Sequence, residues 1–142
     1  SYGAFDIYAG AVDGFESYKN PFWAFSRSTP RKIFGEGFDH VNNPDMYKAV
    51  SPLYNIPEAK VKALPPQLLL VGSNDRLTTP DSVKGYLNAL KEKGHQVSYW
   101  EYPGKGHAFL DSGNNYFLGT NFERDAPEAL DKMINFLESV FK

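Results

Sequence analysis

The chain has 142 residues, of which 42% are apolar, 15% aromatic and 23% charged, with a formal net charge of −2 and a pI near 5.9. These values fit a globular domain with a core of its own. They exclude a basic nucleic-acid footprint and, because no cysteine occurs, disulfides and thiolate metal sites; no apolar run approaches the roughly 20 residues of a membrane span.

In chain order, residues 4–12, AFDIYAGAV, are short and apolar ahead of Asp13-Gly14, and they predict a buried strand or strand end. Residues 13–50 predict irregular structure, with Pro21, Pro30 and Pro44 breaking any long helix. This stretch carries Phe15, Tyr18, Phe22, Trp23, Phe25, Phe34, Phe38 and Tyr47. A segment of that length between regular elements points to a cap or substrate-pocket loop.

After Pro65-Pro66, the run QLLLVGS at 67–73 predicts a strand covered on both faces. PDSVKGYLNALKEKG at 80–94 predicts a helix. Pro80 suits its first turn, Val83, Tyr86, Leu87 and Leu90 form its apolar stripe, and Gly94 ends it. QVSYWEY at 96–102 alternates and predicts a second strand. Residues 126–142 place Leu130, Met133, Ile134, Leu137, Val140 and Phe141 on one stripe of a closing helix.

Strand, helix, strand is a βαβ unit, so both strands run parallel and their carboxyl ends meet at one edge of the sheet. Adjacent strands lie about 4.8 Å apart. The turn after the first strand, GSNDRLTTP, carries Asp75, and the turn after the second, YPGKGHAF, carries His107. The two stand at equivalent places on neighbouring loops. A carboxylate there reaches one imidazole nitrogen, orients the ring and leaves the other nitrogen to take a proton from a nucleophile. Asp81 and Asp111 are rival acids. Asp81 opens a helix, where capping accounts for it, and Asp111 follows the histidine too closely to come from the opposite loop. His40 and His95 have no clustered ligands and are expected on the solvated surface, so no metal or other cofactor is called for.

With these residues placed, the sequence resembles the α/β-hydrolase fold, and within it the hormone-sensitive-lipase-like esterases that include bacterial acetyl esterases. SYGAFD at 1–6 looks like the sixth strand and its exit, and AVSPLYN at 49–55 like the segment before the acid strand. LPPQLLLVGSNDRL looks like the acid strand and loop, and VSYWEYPGKGHAFLD like the last strand and histidine loop. The resemblance implies an α/β class, with the whole of 1–142 forming the carboxyl-terminal part of a single hydrolase domain. It makes Asp75 the triad acid and His107 the general base, and offers Phe22 and Trp23 as pocket-lining residues.

The sequence departs from the family in one respect. It contains no Gly-x-Ser-x-Gly and no HGGG-like segment, and the chain order in this fold is Ser, Asp, His. The nucleophile and oxyanion hole are therefore expected upstream of residue 1, so that these residues alone are inactive and expose apolar surface. The expected function is a serine hydrolase acting on carboxylic esters. Its expected partners are a small-molecule ester and the amino-terminal portion of the same protein. A serine peptidase of the prolyl-oligopeptidase or acylpeptide-hydrolase kind is one alternative. The other is a non-catalytic ligand-binding protein on a hydrolase scaffold.

Overall fold

The structure, a computed structural model, describes residues 4–110, 114–115 and 120–142. They form two compact units, Ala4–Ile56 and Pro57–Lys142.

The first unit holds α1 (Ile7–Asp13), α2 (Pro21–Ser26), α3 (Pro44–Val50) and a 3₁₀ turn at Pro52–Asn55. The strand expected over 4–12 is a helix instead. Asp6 caps it by accepting from Ala9 N–H, and a cap of this kind selects a helix where a short apolar run leaves the choice open. Prolines 21 and 44 begin helices rather than breaking them, because the first turn needs no N–H there. The Ser51 hydroxyl, fully buried, donates to Tyr47 O and accepts from Ile7 N–H at 2.9 Å, tying α1 to α3.

Glu16 is the polar hub of this unit. Its side chain is buried and accepts from the Tyr47 hydroxyl at 2.6 Å and Ile33 N–H at 2.7 Å. His40 Nδ1 lies 3.4 Å from the same carboxylate. Burial works to raise the Glu16 pKa, but these hydrogen bonds and the nearby Lys32 outweigh it and hold the group below its ordinary value. His40 is thus an internal partner, not a solvated surface residue.

The second unit carries β1 (Gln67–Gly72), α4 (Pro80–Glu92), β2 (Val97–Tyr102), two short antiparallel strands, β3 (Asn114–Asn115) and β4 (Thr120–Asn121), and α5 (Phe122–Val140). β1 and β2 pair in parallel, from Gln67 opposite Val97 to Gly72 opposite Tyr102. Side chains alternate along such a pair. Leu70 and Tyr102 therefore share one face, where they pack with Phe109 and with Ala129 of α5. Leu69 and Val71 lie buried on the other face. Cover on that second face is closer than on the first, where Leu68 and Leu70 are only half-buried.

α4 buries Val83, Tyr86, Leu87 and Leu90 as its periodicity requires, and Thr79 caps it. Gly94, at φ +81, ends it. His95 is buried rather than solvated: Nε2 lies 2.7 Å from Pro57 O, and Leu64 N–H points to Nδ1 at 3.4 Å. It pins residues 57–64 beside the loop that enters β2.

α5 begins four residues before the predicted start of 126. Asn121 caps it by accepting from Arg124 N–H, while its own N–H donates to Asp125 Oδ2 at 3.0 Å. This reciprocal cap makes a helix start ahead of Pro127. The helix buries Ala126 and Ala129, whereas Leu130, Ile134, Leu137 and Phe141 of the predicted stripe stand exposed. Among the described residues no helix is long and apolar enough to cross a membrane.

Candidate active site

β1 and β2 deliver two loops to one edge of the sheet, and those loops are sewn together by backbone bonds. Ser73 N–H donates to Tyr102 O at 2.9 Å, and Asn74 N–H to Lys105 O at 2.8 Å. The Ser73 hydroxyl accepts from Gly104 N–H at 2.8 Å. Gly72 permits this approach, since a Cβ there would lie 2.3 Å from Lys105 O and 2.9 Å from Gly106 O. A backbone carbonyl cannot swing aside as a side chain can, so the glycine sets the distance between the loops.

Asp75 sits in a tight turn closed by its own N–H bond to Gly72 O. Its Oδ1 accepts from Leu77 N–H at 2.9 Å and Thr78 N–H at 2.8 Å. These two bonds aim the carboxylate, whose side chain is only 4% exposed. His107 Nδ1 lies 3.1 Å from Oδ1 and 3.0 Å from Oδ2. In the tautomer that carries its proton on Nδ1, toward the carboxylate, the lone pair stands on Nε2, the arrangement a general base uses. The imidazole is 24% exposed, so water or a reacting group has access to it. Ala108, next in the chain, has φ +60. This left-handed backbone costs a residue with a Cβ roughly 1–2 kcal/mol, and the chain accepts it at the point where the histidine turns toward the acid.

The structure thus brings Asp75 and His107 within hydrogen-bond distance. Asp81 lies in the first turn of α4, where it suits the helix dipole, and Asp111 falls outside the described residues. Trp23 is half-buried in α2 of the Ala4–Ile56 unit, and the side chain of Phe22 lies outside the described set. Among the described residues no group of three or more His, Cys, Asp or Glu is placed to hold a metal ion.

Two residues of this edge are not apparent in the sequence motifs. The Lys105 ammonium on the histidine loop pairs with the carboxylate of Asp125 in the first turn of α5. Asp125 also accepts from Arg124 Nε at 2.6 Å and Nη2 at 2.8 Å. The Arg124 bonds, with those from Lys105 and Asn121 N–H, overcome burial and hold Asp125 well below the usual carboxylate range. Only the Asn-to-Asp spacing at 121–125 hints at this site, and it signals a cap, not a partner twenty residues away.

No match was found among curated proteins. Among solved structures, the chain is similar to puromycin hydrolase, at 24% identity and a TM-score of 0.51, over 75% of this chain and 14% of that one. It is also similar to the propionate-bound thermophilic esterase 2 of the planctomycete Thermogutta terrifontis, at 19% identity and a TM-score of 0.50, over 75% of this chain and 38% of that one. The 142 residues therefore span a minor share of the chains they match, and at these identities the likeness speaks for the fold, an α/β-hydrolase type. The profile of the prolyl oligopeptidase family matches residues 17–142. The chain accordingly belongs to the prolyl oligopeptidase family, a family of serine hydrolases.

Proposed function

We propose that this chain supplies the acid and the base of a Ser-His-Asp hydrolase, with Asp75 as the acid and His107 as the base. The observation that carries the reading is the 3.0 Å contact between His107 Nδ1 and Asp75 Oδ2 at the carboxyl edge of a parallel sheet. In this reading a serine from a segment outside the 142 residues attacks an acyl carbon as its proton passes to His107 Nε2. The imidazolium, stabilised by Asp75, then protonates the leaving group, and the cycle repeats with water. No Gly-x-Ser-x-Gly occurs in the sequence, and the short span of the matched structures supports a separate source for nucleophile and oxyanion hole.

Carboxylic esters are the proposed substrates. The alcohol of an ester leaves more readily than the amine of an amide, and the likeness in fold to an esterase is in keeping with an ester substrate. Peptide or amide cleavage is the second reading, favoured by membership of the prolyl oligopeptidase family. Phe22 and Trp23 are proposed as acyl- or alcohol-pocket residues of the esterase on the family resemblance alone.

The test uses the full-length protein on nitrophenyl esters of graded acyl length and on peptidyl nitroanilides. The expected result is ester turnover that His107→Ala lowers by ~10⁴-fold or more. Faster turnover of the peptidyl substrates selects the peptidase reading, and turnover insensitive to His107→Ala removes the proposed base.

A further inference from the structure

The two loops that carry Asp75 and His107 are joined by the bonds of Ser73 and Asn74 to Tyr102, Gly104 and Lys105. Three observations converge on Lys105. Its carbonyl accepts from Asn74 N–H, one residue before the acid. Its ammonium pairs with Asp125, whose side chain is 1% exposed. It stands two residues before His107, with only Gly106 between them. One residue thus joins the acid loop, the histidine loop and the first turn of α5.

The strain at Ala108 gives this joint something to oppose. A left-handed alanine persists only where its surroundings over-determine it. The glycines at 104 and 106 leave the loop little stiffness of its own, because glycine restricts φ and ψ least. Asp125 is itself held from three sides, by the Arg124 guanidinium, by Asn121 N–H and by Lys105. It is therefore a well-held anchor, and the Lys105 side chain reaches it from the loop whose backbone is already bonded to Ser73 and Asn74.

We propose that Lys105 and Asp125 are a positioning pair, an ion pair that ties the histidine loop to α5 and thereby holds His107 against Asp75. The inference rests on the proposed roles of Asp75 and His107. Neither Lys105 nor Asp125 touches the reacting atoms. They act on the rate by setting where the imidazole stands, and a misplacement of about 1 Å in such a group costs on the order of 10²-fold.

The test compares the full-length wild type with Asp125→Asn, Lys105→Met, the double variant and Lys105→Arg, with folding followed by circular dichroism. Turnover of a nitrophenyl ester is measured together with the NMR signal of the His107 Nδ1 proton, which a carboxylate bond shifts downfield and protects from exchange. Asp125→Asn and Lys105→Met are each expected to lower kcat by roughly 10–100-fold. KM should stay within about threefold, since substrate contacts are untouched. The double variant should be about as slow as either single one, because both remove the same contact. Lys105→Arg, which keeps the charge and the reach, should restore kcat and the downfield proton. The inference is overturned if both single variants keep kcat within about twofold and leave the proton signal unchanged, or if lost activity only tracks the unfolded fraction. Should the wild type hydrolyse no ester or peptide, the proposed hydrolase reading fails, and the proton signal in the same variants still decides whether the pair holds the imidazole.

Discussion

At the residue scale, Gly72 controls how closely the two loops approach. The space where its side chain would stand is filled by the carbonyls of Lys105 and Gly106. Gly72→Ala must push the histidine loop outward, as overpacking of a closed site does at a cost of about 1–3 kcal/mol. The expected outcome is a lower urea midpoint together with a loss of kcat larger than the fraction unfolded explains. A midpoint and kcat equal to wild type would show that the loops part without penalty. The proximity of Asp75 and His107 is legible in the sequence because each lies in the loop that follows a β-run, and parallel pairing brings those loops to one edge of the sheet. The depth of the Gly72 contact was not legible, because a glycine at a strand end looks the same whether or not a backbone lies against it. The half-buried setting of His40 and the buried one of His95 are hidden from the sequence for a related reason: their partners, Glu16 and Pro57 O, lie 24 and 38 residues away.

At the element scale, α5 is anchored at its start by charge as well as by apolar contact. Asp125 is bonded by Arg124, Lys105 and Asn121 and holds its proton far less readily than an ordinary carboxyl. Its folded pKa therefore lies below its unfolded value of about 3.9. The sign follows from linkage: this contribution to stability is fully present above about pH 4 and is lost as pH falls toward the folded value, because the unfolded chain binds the proton first. Urea midpoints recorded from pH 6 down to pH 2 should fall for wild type, and fall less steeply for Asp125→Asn from a lower starting point. Parallel curves would exclude Asp125 as a source of the acid sensitivity. The helix itself was foreseen from its stripe, whereas its start was not. The cap at Asn121 depends on a side-chain bond that apolar periodicity does not encode. The same is true of α1, where Asp6 converts a run read as a strand into a helix.

At the scale of the whole molecule, two compact units share the chain, and the Pro57–Lys142 unit contains both proposed catalytic residues. The apolar stripe of α5 leaves Leu130, Ile134 and Leu137 about half exposed, at 44%, 52% and 50%, and Phe141 at 82%. Surface of this kind favours association. The 142-residue chain is expected to sediment as concentration-dependent oligomers, and Leu130→Gln with Ile134→Gln should shift it toward monomer. A wild-type chain that stays monomeric at high concentration would contradict this. The parallel pair follows from the order of strand, helix and strand, while the α/β-hydrolase class rests on the resemblance as well. The central claim is that Asp75 steers His107 for proton transfer, and the steady-state rate of the full-length Asp75→Asn variant on a nitrophenyl ester tests it most directly. The account predicts a loss of kcat approaching ~10⁴-fold with the fold intact, and a rate close to wild type would contradict it.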